Sequence, residues 1–187
     1  MSQLKMIFNS NATPMPEPVI PEGFTLRTLR DEDLAAYNRL RVSVEFNTWT
    51  AEELAAYRKK TLPDGSLVIV SDQTGEFAAS AGAETTDIPE YPRFGVLGWV
   101  MTEPKFKGHH LGRVVSVGAM HRLHQAGYRI FTLLTDDFRT PALSTYLKLG
   151  WQPWLFEGDM ETRWRAIAAR LGRSFESLHA ITDPEGK

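Results

Sequence analysis

The chain has 187 residues, enough for one compact domain and too few for two of ordinary size. Its formal net charge of -2 denies it the basic field that nucleic-acid binding requires. The absence of cysteine excludes disulfides, thiolate metal sites and a cysteine nucleophile, so a transferred group must move directly or through another residue type.

Residues 1–22 hold Pro14, Pro16, Pro18 and Pro21 in a polar setting and read as an N-terminal arm or linker. Within it, Met6-Ile7-Phe8 is too short for a signal-peptide core, and no run approaches the roughly 20 apolar residues of a membrane span. A cytoplasmic location is expected, with neither membrane nor nucleic acid as partner. Phe24 to Leu29 alternates apolar and polar residues, which predicts a half-buried strand. Asp31-Glu32-Asp33 then opens a helix, its carboxylates at the positive end of the helix dipole. Thr50-Ala51-Glu52-Glu53 fits a capping box for a second helix, and Pro63-Asp64-Gly65 supplies turn chemistry after it. Leu67–Val70 and 76–86 predict a hairpin, its second strand rich in alanine.

A proline-containing loop over 88–93 leads to Gly95–Thr102, whose near-continuous apolar run fits a central strand. From Leu111 the apolar residues recur at steps of three and four and Gly127 offers a cap, which predicts a helix. Ile130–Leu134 reads as a short buried strand. Thr140-Pro141 starts another helix, as an N-cap followed by proline at the first helical position. Trp151–Phe156 reads as a strand and Glu161–Leu171 as a final helix, with a polar tail over 174–187. The pattern is α+β, or mixed α/β, in a single domain over 23–173.

The strand-to-helix junction from Glu103 to Arg113 is suited to an anion. Unpartnered N–H groups open a helix, Gly108 and Gly112 permit close approach, and Lys105, Lys107 and Arg113 add charge. The junction resembles motif A of the GCN5-related N-acetyltransferase superfamily, a Q/R-x-x-G-x-G/A loop after a V-x-P strand end. Here Thr102 and Pro104 stand at the strand end, Lys107 for the Gln/Arg, His110 for the first glycine and Gly112 for the second. Downstream, Arg139, Ala142, Tyr146, Gly150 and Trp151 keep the spacing of the family's N-x-x-A-x-x-x-Y-x-x-x-G-F.

That resemblance implies a mostly antiparallel sheet splayed between its fourth and fifth strands, here 95–102 and 129–135. It implies acetyl-CoA as cosubstrate, its pyrophosphate on the amides of Gly108, His109, His110, Leu111, Gly112 and Arg113, with Lys107 and Arg139 as further cofactor-binding residues. Val100, Met101 and Thr102 would pair with the pantetheine arm. Tyr146 would be the general acid that protonates the departing thiolate, and a primary amine the acceptor in a ternary complex. Where the family commonly has a seventh strand, this chain has its extra C-terminal helix. An imidazole at His110 in place of glycine implies weakened or pH-sensitive coenzyme binding.

The general base is open: Glu84 and Glu103 lie near strand ends, and Asp136 and Asp137 follow the fifth strand. No metal is expected, since no carboxylate or cysteine completes a site with the histidines. Trp99, Trp151, Trp154 and Trp164 read as core or interface residues. The alternative to an enzyme is a coenzyme A-binding sensor or scaffold of the same fold, weakly active or inactive. A homodimer is left open.

Overall fold

The computed structural model describes residues 2–86 and 91–185, so residues 88–90 of the expected proline loop lie outside the described residues. In chain order the elements are β1 (Leu4–Asn9), β2 (Phe24–Thr28), α1 (Leu34–Ser43), α2 (Ala51–Lys60), β3 (Thr61–Ser71), β4 (Phe77–Thr85), β5 (Phe94–Thr102), α3 (Leu111–Gln125), β6 (Ile130–Thr135), α4 (Thr140–Lys148), β7 (Gln152–Trp154) and α5 (Met160–Arg170). The seven strands form one sheet in the order β2-β3-β4-β5-β6-β1-β7. Only β5 and β6 run parallel; the other neighbouring pairs are antiparallel.

Local chemistry explains most boundaries. Thr50 Oγ1 accepts from the Glu53 N–H at 3.2 Å while Glu53 Oε2 accepts from the Thr50 N–H at 2.8 Å, closing the capping box of α2. Pro63-Asp64-Gly65 does not end that helix in a loop. It forms an irregularity inside β3, where the register with β4 slips between Thr61 and Ser66 and Asp64 takes φ 56°. The alanines of β4 are buried, which lets α3 pack close against the sheet.

The largest departure from expectation is at the N-terminus. Residues 4–9 are not an arm: β1 lies inside the sheet, pairing with β6 on one side and β7 on the other. Leu4, Met6, Ile7 and Phe8 are all 0% exposed. The chain runs from β7 into α5, and it is β1 that lies between β6 and β7 in the sheet. Residues 10–13 turn back on Asn9, whose carbonyl accepts from Ala12 and Thr13, and 14–21 form neither helix nor strand, with the Pro16 carbonyl 2.8 Å from His121 Nε2 on α3. The polar tail is likewise part of the domain. Leu178 is buried, and Ile181 pairs with the outer edge of β7 through Leu155 N–H to Ile181 O and Ile181 N–H to Pro153 O. That strap satisfies an edge that would otherwise be open to another strand. Among the described residues no helix is long and apolar enough to cross a membrane.

Helix α5 is anchored by a fork. Arg163 donates from Nε to Asp137 Oδ2 at 3.1 Å and from Nη2 to Oδ1 at 2.5 Å. These bonds hold the Asp137 carboxyl below its ordinary range. A depressed folded value stabilises the protein above the ordinary carboxylate pKa and is lost as the pH falls through the folded one. The difference in melting temperature between wild type and Asp137→Asn should therefore narrow below about pH 4. A difference that stays constant in acid would exclude the coupling.

Candidate functional site

The strands β5 and β6 pair only from Phe94–Ile130 to Val96–Thr132, and then diverge. Beyond Val96 the splay opens a cavity of about 830 Å³. One wall is the end of β5, Val100 to Thr102; the floor is the junction from Glu103 to Arg113; the far wall is Arg139 with Pro141, Ala142, Thr145 and Tyr146 of α4.

The junction is built to expose N–H groups. A short 3-10 turn over Pro104–Phe106 ends β5, Gly108 takes φ 101°, and His110 caps α3 at φ 57° and ψ 24° in the left-handed region. The His110 carbonyl is turned back into the helix, accepting from Arg113 and Val114. Among the described residues, the N–H groups of Gly108, His110, Leu111 and Gly112 find no protein acceptor, and all four residues line the cavity. Lys107, Arg113, Arg139 and Lys148 line it too. Free N–H groups at a helix start with cations around them suit a diphosphate.

His110 therefore holds the left-handed geometry that glycine adopts without strain, and histidine is among the side chains that tolerate it best. Gly112 has a packing reason as well: a Cβ there would come within 2.9 Å of Thr102 Oγ1, so glycine lets α3 start directly against β5.

Two expected contacts are not made. His109 does not line the cavity; its ring turns outward and sits 5.1 Å from that of Phe24. Lys105 also turns away, its ammonium bonded to Glu76. Val44, Phe106, Thr145 and Lys148 were not anticipated. Thr145 could have been found by spacing, since Ala142, Thr145 and Tyr146 share a helix face at steps of three and four.

Tyr146 faces the cavity from α4 with 6% exposure. Burial pushes its phenol well above the ordinary tyrosine value, and the charge of Arg139 pulls back in part, so it holds its proton at neutral pH. Among the base candidates, Glu103 lines the cavity. Glu84 does not: its carboxylate lies over Gly98 on the opposite face of the sheet, where a Cβ on Gly98 would collide with Oε1. Asp136 is bonded to Arg139 at 3.0 Å and Asp137 to Arg163, so both are held as ion pairs.

Strand β5 carries a bulge at the splay. Ser80 pairs with Met101 and Gly82 with Gly98, which leaves Trp99 and Val100 opposite the single residue Ala81. Trp99 takes φ 49°, an outlier for a bulky side chain. The bulge sends the Trp99 ring to the α1–α2 face of the sheet, 4.8 Å from the ring of Trp49, while Val100 remains on the cavity side.

The architecture is that of the GCN5-related N-acetyltransferases. A GCN5-related N-acetyltransferase from Sphaerobacter thermophilus superposes with a TM-score of 0.64 at 22% identity, over 82% of this chain and 49% of that one. A tandem protein of the same superfamily from the clavulanic acid biosynthesis pathway gives 0.60 at 17% identity, over 81% and 50%. In sequence, the chain is 29% identical over 160 residues to a mycothiol acetyltransferase of Nocardia farcinica, which covers 81% of this chain and 53% of that protein. The chain thus spans about half the length of the curated relatives it matches. No family model matches it.

Proposed function

We propose that the chain is an acyl-CoA-dependent N-acyltransferase that moves acetyl from acetyl-CoA to a primary amine. The observation that carries this reading is the single cavity into which the splay gathers a free N–H cradle, the β5 edge and Tyr146. The N–H groups of Gly108, His110, Leu111 and Gly112, with Lys107, Arg113 and Arg139, would hold the pyrophosphate. Val100 to Thr102 would pair with the amide-bearing arm. An N–H freed at the β5 bulge would polarise the thioester carbonyl.

In the reaction the acceptor nitrogen attacks the carbonyl carbon, a C–N bond forms and the C–S bond breaks. The thiolate takes a proton from Tyr146, and the ammonium proton leaves to a base. Glu84, beside the bulge on the α1–α2 face, and Glu103, within the cavity, are the two candidate carboxylates to receive it. Similarity to mycothiol acetyltransferases supports acetyl as the group moved.

Calorimetric titration with acetyl-CoA, followed by thiol release across an amine panel, tests the proposal. Binding with amine-dependent thiol release is the expected result. Binding without turnover would make the chain a coenzyme A-binding module, and no binding would overturn the reading.

A further inference from the structure

On the α1–α2 face, directly behind the bulge, lies a charged group with no anionic partner. Arg41, on α1, is 3% exposed. Its guanidinium carbon sits 3.8 Å from the Trp49 ring centroid, 4.8 Å from Trp99, 5.6 Å from Phe46 and 6.0 Å from Tyr37. Nε donates to the Asn47 carbonyl at 2.7 Å. Nη1 is buried and meets no acceptor, and no carboxylate forms an ion pair with Arg41 among the described residues. The Tyr37 hydroxyl is also buried without a partner. Burial pushes that phenol up to about 12, so it carries its proton.

Aromatic faces offset part of the cost of burying a cation, but they do not satisfy its N–H groups. Neither Arg41 Nη1 nor the Tyr37 hydroxyl completes a hydrogen bond within the cage. The cage adjoins the cavity: Phe46 also lies 5.2 Å from the guanidinium of Arg139, which lines the cavity, and Trp99 precedes Val100 across the bulge. Trp99 is 36% exposed and forms the outer wall of the cage, while Arg41 Nη1 and the Tyr37 hydroxyl behind it are buried, so an acceptor reaches them by displacing that ring. The lone cation of the cage suits a planar monoanion, which a guanidinium fork and a phenol can grip together. A phosphate dianion would call for more charge.

We propose that this cage is the acceptor-recognition subsite, and that the acceptor is an amino acid or a similar small amine whose carboxylate docks on Arg41 and Tyr37. The inference rests on the transferase reading, and it places the amine end of the acceptor towards Glu84 and the bulge.

The test measures acetyl transfer to L-alanine, L-phenylalanine and L-glutamate, each against its α-amide, in wild type, Arg41→Met and Arg41→Lys. Wild type should favour the acids roughly 10²-fold in kcat/KM, as expected for a desolvated charge pair. Arg41→Met should lose that preference with the KM for acetyl-CoA unchanged, and Arg41→Lys should keep part of it. Absence of an acid preference in wild type, or its survival in Arg41→Met, overturns the proposal. If Arg41→Met fails to fold, the lysine variant decides by whether the preference falls. If no amine is acetylated, the transferase reading fails, and tryptophan-fluorescence titration with the same acids and amides judges the cage alone. Acid-selective quenching lost in the variants upholds it; quenching without preference, or none, sinks it.

Discussion

Replacing Tyr146 with phenylalanine should lower the turnover number roughly 10²-fold or more while leaving the fold and the KM for acetyl-CoA intact. The ring is part of the core beside Trp151, with centroids 6.2 Å apart, and phenylalanine keeps that contact. Only the hydroxyl is lost, so a structural role would show in the melting temperature and a chemical one in kcat. Burial holds the phenol protonated at neutral pH, which is the state a general acid must occupy before the thiolate forms. Single-turnover rates with saturating coenzyme isolate the chemical step. Unchanged turnover would reduce Tyr146 to a packing residue.

Deleting residues 2–9 should abolish cooperative unfolding. Leu4, Met6, Ile7 and Phe8 are wholly buried, and burial of each such side chain is worth about 1.5–3 kcal/mol. Their sum rivals the entire net stability of a domain, about 5–15 kcal/mol. The deletion would also leave β6 and β7 with open edges on either side of an empty slot. Phe8→Ala is the graded form of the experiment: the ring stacks on Phe131 and touches Trp151, and its removal should cost about 3–5 kcal/mol. Thermal melts followed by circular dichroism read both. A truncated chain that still melts cooperatively near the wild-type temperature would show β1 to be dispensable.

These two cases mark where the sequence was legible and where it was not. Tyr146, the glycine turn and the capping box of α2 are local patterns, fixed by spacing over a few residues, and they emerged where expected. The role of β1 is non-local. Its apolar run is short, prolines follow it, and its partners at 130–135 and 152–154 leave no mark near residue 6. The Arg41 cage was hidden for the same reason. An arginine on a helix is ordinarily solvated, and this one is buried because Trp49 and Trp99 arrive from a loop and a distant strand. Trp99 itself reads as a strand residue; the left-handed backbone that aims its ring depends on a register slip against β4.

The position of β1 also sets an order of events during synthesis. Residues 4–9 are made before any partner they will pair with, since β6 and β7 follow only at 130–135 and 152–154. Until residue 154 is available, four fully apolar side chains have no slot to enter, and β2 to β5 can assemble without them. Closing that long loop is the entropically costly step, so β1 docks late, into a gap whose sides must already be standing. A strand made well before its partners is thus among the last to become structured, and the chain must keep it from pairing elsewhere in the meantime.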